Sequence, residues 1–325
     1  MSRQKKHQVN EKLIAKLTLL NDSMVKAEHD AVGDNNETKY PTVFVVGAPR
    51  SGTTLLTQWL AYTGLFGYPT NFISRFYKAP YLGKVIQDIL TKEEYDYKGE
   101  LSDLKAPKDK YKSVLGKTVG HAEPNSFWYM WRRFLPVQEI EYISPDDEEK
   151  VDAEGLLNAV ACLEKGYDKP VLLKGKMLQF NIDILGKIFP RSLILFVNRS
   201  EAHNVESIAR ARIKYKGGIE KWFEAKPPEY KNIAKMSPIN QIVEQVRCTN
   251  RSIENGLRKA DNISSIRISY ENFCDNPESV FRMIRQEMKE LDYILDKKYN
   301  GPVEFNNTNR MRNKSDLMKK IENRI

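Results

Sequence analysis

The clearest signal along the chain is a short apolar run that stops at a glycine, Pro41-Thr-Val-Phe-Val-Val-Gly47. Continuous β-branched and aromatic residues, with no polar alternation, predict a strand buried on both faces, as in a parallel sheet. Val171–Lys174, Ser192–Val197 and Ser265–Ser269 read the same way. Between these runs the apolar period changes to that of a helix, over 53–62, 177–188, 201–214, 239–260 and 277–291. Strands alternating with helices imply an α/β fold with a parallel central sheet flanked by helices and right-handed crossovers. Ahead of the first strand, leucines and isoleucines at 13, 14, 17, 19 and 20 predict a helix over about 10–29, followed by a polar loop at 33–39. Residues 68–150 are aromatic and charged without a clear period, which suggests helices and loops that build a cleft. No internal repeat or low-complexity segment breaks the pattern. The expected organisation is an N-terminal helix and loop (1–40) packed on a single domain (41–325), with acceptor-side elements at about 68–165.

Composition narrows the picture. The chain has 325 residues, 41% of them hydrophobic, enough for a large core. No run of about 18 apolar residues predicts a membrane span, and the basic stretch Met1–His7 leads into no apolar signal-peptide core. Cys162, Cys248 and Cys274 are scattered and odd in number, without CxxC spacing. That argues against a disulfide framework and a zinc site, and fits a reducing, cytoplasmic location. The formal net charge of +9 would suit either a nucleic-acid binder or a cleft for a polyanionic nucleotide. Charges of both signs are interleaved, and even the acidic run Asp146–Glu149 is followed by Lys150, which favours the cleft.

The chemistry begins where the first strand ends. Gly47-Ala-Pro-Arg-Ser-Gly-Thr-Thr54 lies between a buried strand and a helix start, where backbone N–H groups and the helix dipole converge on an anion. Ser51, Thr53 and Thr54 can donate further hydrogen bonds, and Gly52 permits a tight turn. A Walker A loop would carry a lysine where Thr53 stands; here the basic residue, Arg50, comes earlier. Such a loop suits a 5′-phosphate whose attached group leaves better than a nucleoside triphosphate. Arg199 stands at the C-terminal end of the strand 192–197, where open α/β sheets place ligand groups, and Ser207 follows eight residues later. An arginine fork and a serine hydroxyl suit a second phosphate; the bland alternative is a surface arginine and a solvated serine.

Pro49-Arg-Ser-Gly-Thr-Thr54 resembles the 5′-phosphosulfate loop of sulfotransferases that use 3′-phosphoadenosine 5′-phosphosulfate (PAPS), and Arg199 with Ser207 resembles that family's 3′-phosphate motif. Val171-Leu-Leu-Lys-Gly-Lys176 is similar to its strand-lysine element, and Ile268-Ser-Tyr-Glu-Asn-Phe273 to its late Tyr-Glu-Asp segment. The resemblance spans about 41–290 and is weakest between 68 and 165. There, Gly67–Phe76 and His121–Trp128 look more like bacterial carbohydrate sulfotransferases. It implies a P-loop nucleotide-kinase-like fold, PAPS as donor, adenosine 3′,5′-bisphosphate as product, no metal, and a small-molecule or glycan acceptor rather than nucleic acid.

It also implies roles. Arg50 and the donors from Gly52 to Thr54 suit the leaving group, Tyr270 the adenine end. Lys174 suits the sulfuryl oxygens, or else a structural salt bridge. Relatives draw their base from a histidine after a lysine-bearing strand, which Lys117-Thr-Val-Gly-His121 loosely resembles, or from a glutamate near the position of Asn71. Asparagine cannot take a proton, which leaves His121 and Glu123, beside Phe127, Trp128, Tyr129 and Trp131, with His203 an outsider on the nucleotide side. Arg310, Arg312 and Lys314 would close the nucleotide site or form a solvated tail, since the family's Arg-Lys-Gly pattern is absent. A P-loop kinase is the rival enzyme, but the strands end in Lys174 and Asn198-Arg199 rather than in an acidic magnesium ligand. A basic RNA- or heparin-binding protein is supported only by charge and scattered aromatics.

Overall fold

The computed structural model describes residues 10–34, 37–104, 111–114, 116–260 and 262–309. Its strands are β1 (Thr42–Val46), β2 (Ser113–Val114), β3 (Lys117–Thr118), β4 (Leu172–Lys174), β5 (Ser192–Asn198) and β6 (Ser264–Ser269). The four apolar runs form one parallel sheet in the order β4-β1-β5-β6, while β2 and β3 pair as a small antiparallel hairpin. Every residue of β1 and β4 is buried; β6, at the edge, alternates.

Helices α1 (Glu11–Val32), α2 (Thr53–Tyr62), α3 (Pro80–Thr91), α4 (Trp128–Phe134), α5 (Pro145–Glu148) and α6 (Ala153–Tyr167) occupy the first half. The second half holds α7 (Ile182–Ile188), α8 (Glu201–Ala211), α9 (Tyr230–Ile233), α10 (Pro238–Lys259), α11 (Tyr270–Asp275) and α12 (Pro277–Glu290). Successive side chains of a strand point to opposite faces, and β1 divides accordingly. Phe44 and Val46 join one core with Met130, Leu163 and Leu185; Val43 and Val45 join another with Leu60, Phe273 and Ile284. Helices therefore cover both faces of the sheet, and loops at its carboxyl edge stay available for a site.

Two expected helices end differently. The one expected over 177–188 is a 3₁₀ turn, Gly175–Leu178, then a break and α7. At the break, the Asn181 amide accepts from Ile143 N–H (3.0 Å) and donates to the Ile143 carbonyl (2.9 Å), tying in the chain after α4. The one expected over 201–214 stops at Ala211 and widens into a π turn, Arg212–Lys216. Burial of Arg212 explains it: its Nη1 donates to Gln241 Oε1 (2.8 Å) and the Ile219 carbonyl (3.2 Å), and its guanidinium lies 4.9 Å from the Trp222 ring.

The first helix runs three residues further than expected, to Val32, and ends where Gly33, at φ +68°, returns its N–H to the His29 carbonyl. Among the described residues no helix is long and apolar enough to cross a membrane. α1 is held by buried polar groups. Asn21 Nδ2 donates to the Arg75 carbonyl and its Oδ1 accepts from Lys78 N–H, both at 2.8 Å, and Glu28 accepts from Tyr81 and Leu82 N–H. Asn21→Ala strands those partners in a buried place. Urea denaturation is expected to show a loss of about 1–3 kcal/mol; a shift within the error of wild type would mean that α1 is held elsewhere.

Candidate active site

β1 delivers the chain to the carboxyl edge of the sheet at Gly47. A Cβ there would lie 2.5 Å from the Val197 carbonyl oxygen and 2.8 Å from Ser51 Oγ, at φ +151°, so only glycine fits. The turn continues through Arg50 at φ +69° and Gly52 at φ +108°, where a Cβ would meet the Tyr270 ring at 2.4 Å. Two loop carbonyls are tied off from one side: Pro49 accepts from Asn204 Nδ2 (2.6 Å), and Arg50 from Arg199 Nη1 (3.0 Å). On the other side α2 starts without a side-chain cap, so its first N–H groups lack intrahelical partners. Ser51 is fully buried and its Oγ has no hydrogen-bond partner. Unsatisfied donors at a helix start, with an orphaned hydroxyl among them, form a cradle for an anion.

Cations surround this cradle. Lys174, at the end of β4, is buried and donates to Thr54 Oγ1 (3.0 Å). Burial pushes its pKa down to about 7, helped by Lys176 and Arg50 and opposed by Glu224. Arg50 Nε donates to Ser207 Oγ (3.3 Å). Arg199 lies over the Tyr270 ring at 4.7 Å and donates to Thr308 and Asn309. Arg50, Ser51, Gly52, Thr53, Thr54, Lys174, Arg199, Ser207 and Tyr270, far apart in sequence, thus meet around one loop. A cavity of about 410 Å³ opens beside Arg199, between Asn198, Ser200, Arg267 and Glu271.

The β2–β3 hairpin roofs the loop. Thr54 Oγ1 donates to the Gly116 carbonyl (3.5 Å), and a Cβ on Gly116 would lie 3.4 Å from Arg50 Nη1. Tyr215, from the π turn, donates to the Val114 carbonyl (3.0 Å). Below the hairpin, Glu123 is buried; it accepts from Gln58 Nε2 (2.7 Å) and from the Tyr62 hydroxyl. Burial and the Glu123 charge hold the Tyr62 hydroxyl well above its usual range. Gln58 and Tyr62 follow Thr54 by four and eight residues on one face of α2, so the Glu123 carboxylate sits roughly 6–12 Å along the helix from Thr54. His121 is half-buried, and its Nε2 is buried without a hydrogen-bond partner. Asn71 staples the segment, donating to the Gly120 carbonyl (2.8 Å) and accepting from Asn125 (2.7 Å).

Phe127 and Trp131 are core, whereas Trp128 and Tyr129 are partly exposed. His203 pairs with Ser200 (3.0 Å), next to Arg199. Arg310, Arg312 and Lys314 lie outside the described residues. The sequence reading missed Asn204, Glu271, Thr308 and Asn309. Each acts through contacts far along the chain, and only the position of Asn204 on the helix after Arg199 could have pointed to it.

Residues 41–290 match the family model described as "Sulfotransferase family". No curated protein is similar enough in sequence to be matched. Among solved structures, sulfotransferase STF1 from Mycobacterium tuberculosis is similar at TM-score 0.52 and 11% identity, over 86% of this chain and 76% of that one. Sulfotransferase STF9 from Mycobacterium avium is similar at TM-score 0.52 and 14% identity, over 86% and 72%. At such identities the likeness is one of fold.

Lys174 gives the site a measurable signature. In the folded protein it loses its proton near pH 7, whereas in the unfolded chain it holds it to about pH 10. The unfolded state therefore binds more protons between these values, and stability gains with rising pH across that window. Denaturation at pH 7 and pH 9 is expected to show this gain in wild type and its loss in Lys174→Met. Parallel pH curves for the two proteins would show that Lys174 keeps its proton when buried.

Proposed function

The chain belongs to the Sulfotransferase family, and on that premise we propose that it moves a sulfuryl group from PAPS to a hydroxyl of an acceptor, a carbohydrate or glycoconjugate first among them, releasing adenosine 3′,5′-bisphosphate. One observation carries the reading. The cradle at the start of α2 has no Walker lysine, and its cations, Arg50 and Lys174, stand beside a second anion-seeking pair, Arg199 and Ser207. Two cationic stations joined by one loop suit a nucleotide bearing a phosphate at each end. The three cysteines, buried and outside any disulfide, support a cytoplasmic location. The reading takes 41–325 as one domain carrying the N-terminal helix.

PAPS supplies an activated sulfur with a phosphate leaving group; the remaining work falls to the chain. The first N–H groups of α2, with the Ser51 and Thr53 hydroxyls, hold the 5′-phosphate. Arg50, Thr54 and Lys174 stabilise charge as it builds on the bridging oxygen. Lys174 suits this task because its proton is poised near neutrality: an arriving anion raises its pKa and completes the ammonium. Arg199 and Ser207 hold the 3′-phosphate, and Tyr270 lies against the nucleoside. His121 is the better base of the two candidates, since its buried Nε2 has no bond to give up. Glu123 would have to release Gln58 or Tyr62.

The full chain is expected to bind adenosine 3′,5′-bisphosphate without added metal, read by calorimetry. Arg199→Ala is expected to weaken it by roughly tenfold or more, the loss of a hydrogen bond to a charged group, with far less effect on adenosine 5′-monophosphate. Magnesium-dependent ATP binding, with none of the bisphosphate, would overturn the reading.

The base is tested by turnover. With labelled PAPS and a panel of glycans, phenols and lipids, His121→Asn is expected to lower kcat about a hundredfold while bisphosphate affinity stays intact. Glu123→Gln should lower stability more than turnover, because the carboxylate bridges two turns of α2. The reverse pattern would give the base role to Glu123.

A further inference from the structure

The fork of Arg199 is already filled by the protein itself. Its Nε and Nη2 both donate to Asn309 Oδ1, at 2.9 and 2.5 Å, and Nη2 also donates to Thr308 Oγ1 at 3.1 Å. Nη1 is committed to the Arg50 carbonyl. Asn309 is buried; its Nδ2 donates to Glu271 Oε1 (2.6 Å), and its N–H to Asn307 Oδ1 (3.0 Å). Thr308 Oγ1 also lies 3.2 Å from the Tyr270 hydroxyl. The segment is fastened upstream at Phe305, whose N–H donates to the Cys274 carbonyl (2.7 Å) and whose ring packs on Phe273 and Tyr111. Residues 306–309 thus form a strap between an apolar anchor and the arginine fork.

The chemistry of the contact is unusual. The Nε–Nη2 edge of an arginine matches two oxygens of a phosphate or carboxylate, and it is strongest when the acceptor carries charge. Here it meets a neutral amide oxygen and, through Nη2, the Thr308 hydroxyl. A carboxylate in that place would lock the fork, and an aliphatic residue would leave it bare. An amide fills it with bonds in which only the donor is charged, weaker than those to a phosphate or carboxylate, so it keeps the guanidinium satisfied yet yields to an anion. The same edge cannot hold both.

We propose that Asn309 is a displaceable latch on the donor site. In the free protein it closes the Arg199 fork; a nucleotide 3′-phosphate expels it and frees the strap 306–309. A nucleotide ending in a 3′-hydroxyl offers nothing stronger than the amide and leaves the latch shut. Strap release therefore reports that the 3′-phosphorylated nucleotide has arrived. This rests on the donor reading given above.

The test uses the full chain with adenosine 3′,5′-bisphosphate and, as control, adenosine 5′-monophosphate. Amide hydrogen exchange at Phe305–Asn309 is expected to speed up severalfold with the bisphosphate and to stay unchanged with the monophosphate. Asn309→Ala removes the competitor and is expected to tighten the bisphosphate about three- to tenfold, with no change for the monophosphate. Asn309→Asp places a charge in the fork and is expected to weaken the bisphosphate about tenfold or more, less so at high salt. Bisphosphate binding that is weakened or unaltered by Asn309→Ala, or that slows exchange in the strap, sinks the latch and leaves the donor reading standing. Failure of both wild type and Asn309→Ala to bind the bisphosphate sinks the donor reading, and the latch with it.

Discussion

The carbonyl oxygens of Pro49 and Arg50 fix the loop on which the rest of the site depends. Both are held by the unit that follows β5, through Asn204 and Arg199. With its carbonyls tied to that side, the turn leaves the amide face at the start of α2 for a ligand. Arg50 accepts a left-handed backbone at φ +69° to make the turn, at a cost of about 1–2 kcal/mol for a residue with a Cβ. A hydrogen bond from the charged Arg199 to its carbonyl contributes about 1.5–3 kcal/mol. The second figure matches or exceeds the first, so the bond from Arg199 offsets the strain of the turn, which Asn204 also holds through the Pro49 carbonyl. Arg199 is therefore a structural clamp on one phosphate station as well as a candidate ligand at the other.

The parallel sheet makes that double use feasible. β1 and β5 are hydrogen-bonded neighbours in register from Thr42↔Ser192 to Val46↔Phe196, so Gly47 leaves the sheet beside Val197, which stays in β5. Close approach at Gly47, where no Cβ fits, brings the loop against the end of β5. β4, on the other side of β1, presents Lys174 to Thr54. Three adjacent strands each contribute to one edge, and the cationic groups need no long excursions to meet. The cost is a buried lysine near an arginine, and its lowered pKa relieves that repulsion by surrendering the proton until an anion comes.

What the sequence disclosed, and what it did not, follows from range. β1, its glycine turn, Arg199 at a strand end and Ser207 eight residues later are local patterns anchored to a continuous apolar run, and they were legible as such. The break at Asn181 and the π turn at Arg212 were not, because each answers to a partner far along the chain: the Ile143 backbone in one case, Gln241 and Trp222 in the other. Thr308 and Asn309 read as an Asn/Thr-rich spacer ahead of a basic cluster. Their meeting with Arg199, 110 residues earlier for Asn309, leaves no period or motif in the sequence.

The two sides of the site are held by bonds of different kinds. Around Glu123, Asn71 ties the Gly120 carbonyl and Asn125, and Glu123 joins two turns of α2, so the segment 118–125 is braced by buried polar contacts. The Asn71 amide, which carries no basic atom, serves there as a staple. At the loop after β1, by contrast, polar groups stand open: the uncapped start of α2 and the orphaned Ser51 hydroxyl. Buried polar groups rigidify a fold when fully satisfied and mark a site when they are not. By that criterion the loop at Ser51 is the anion-seeking part of the site, and the bonds of Asn71 and Glu123 hold the wall that carries the unpartnered His121 Nε2.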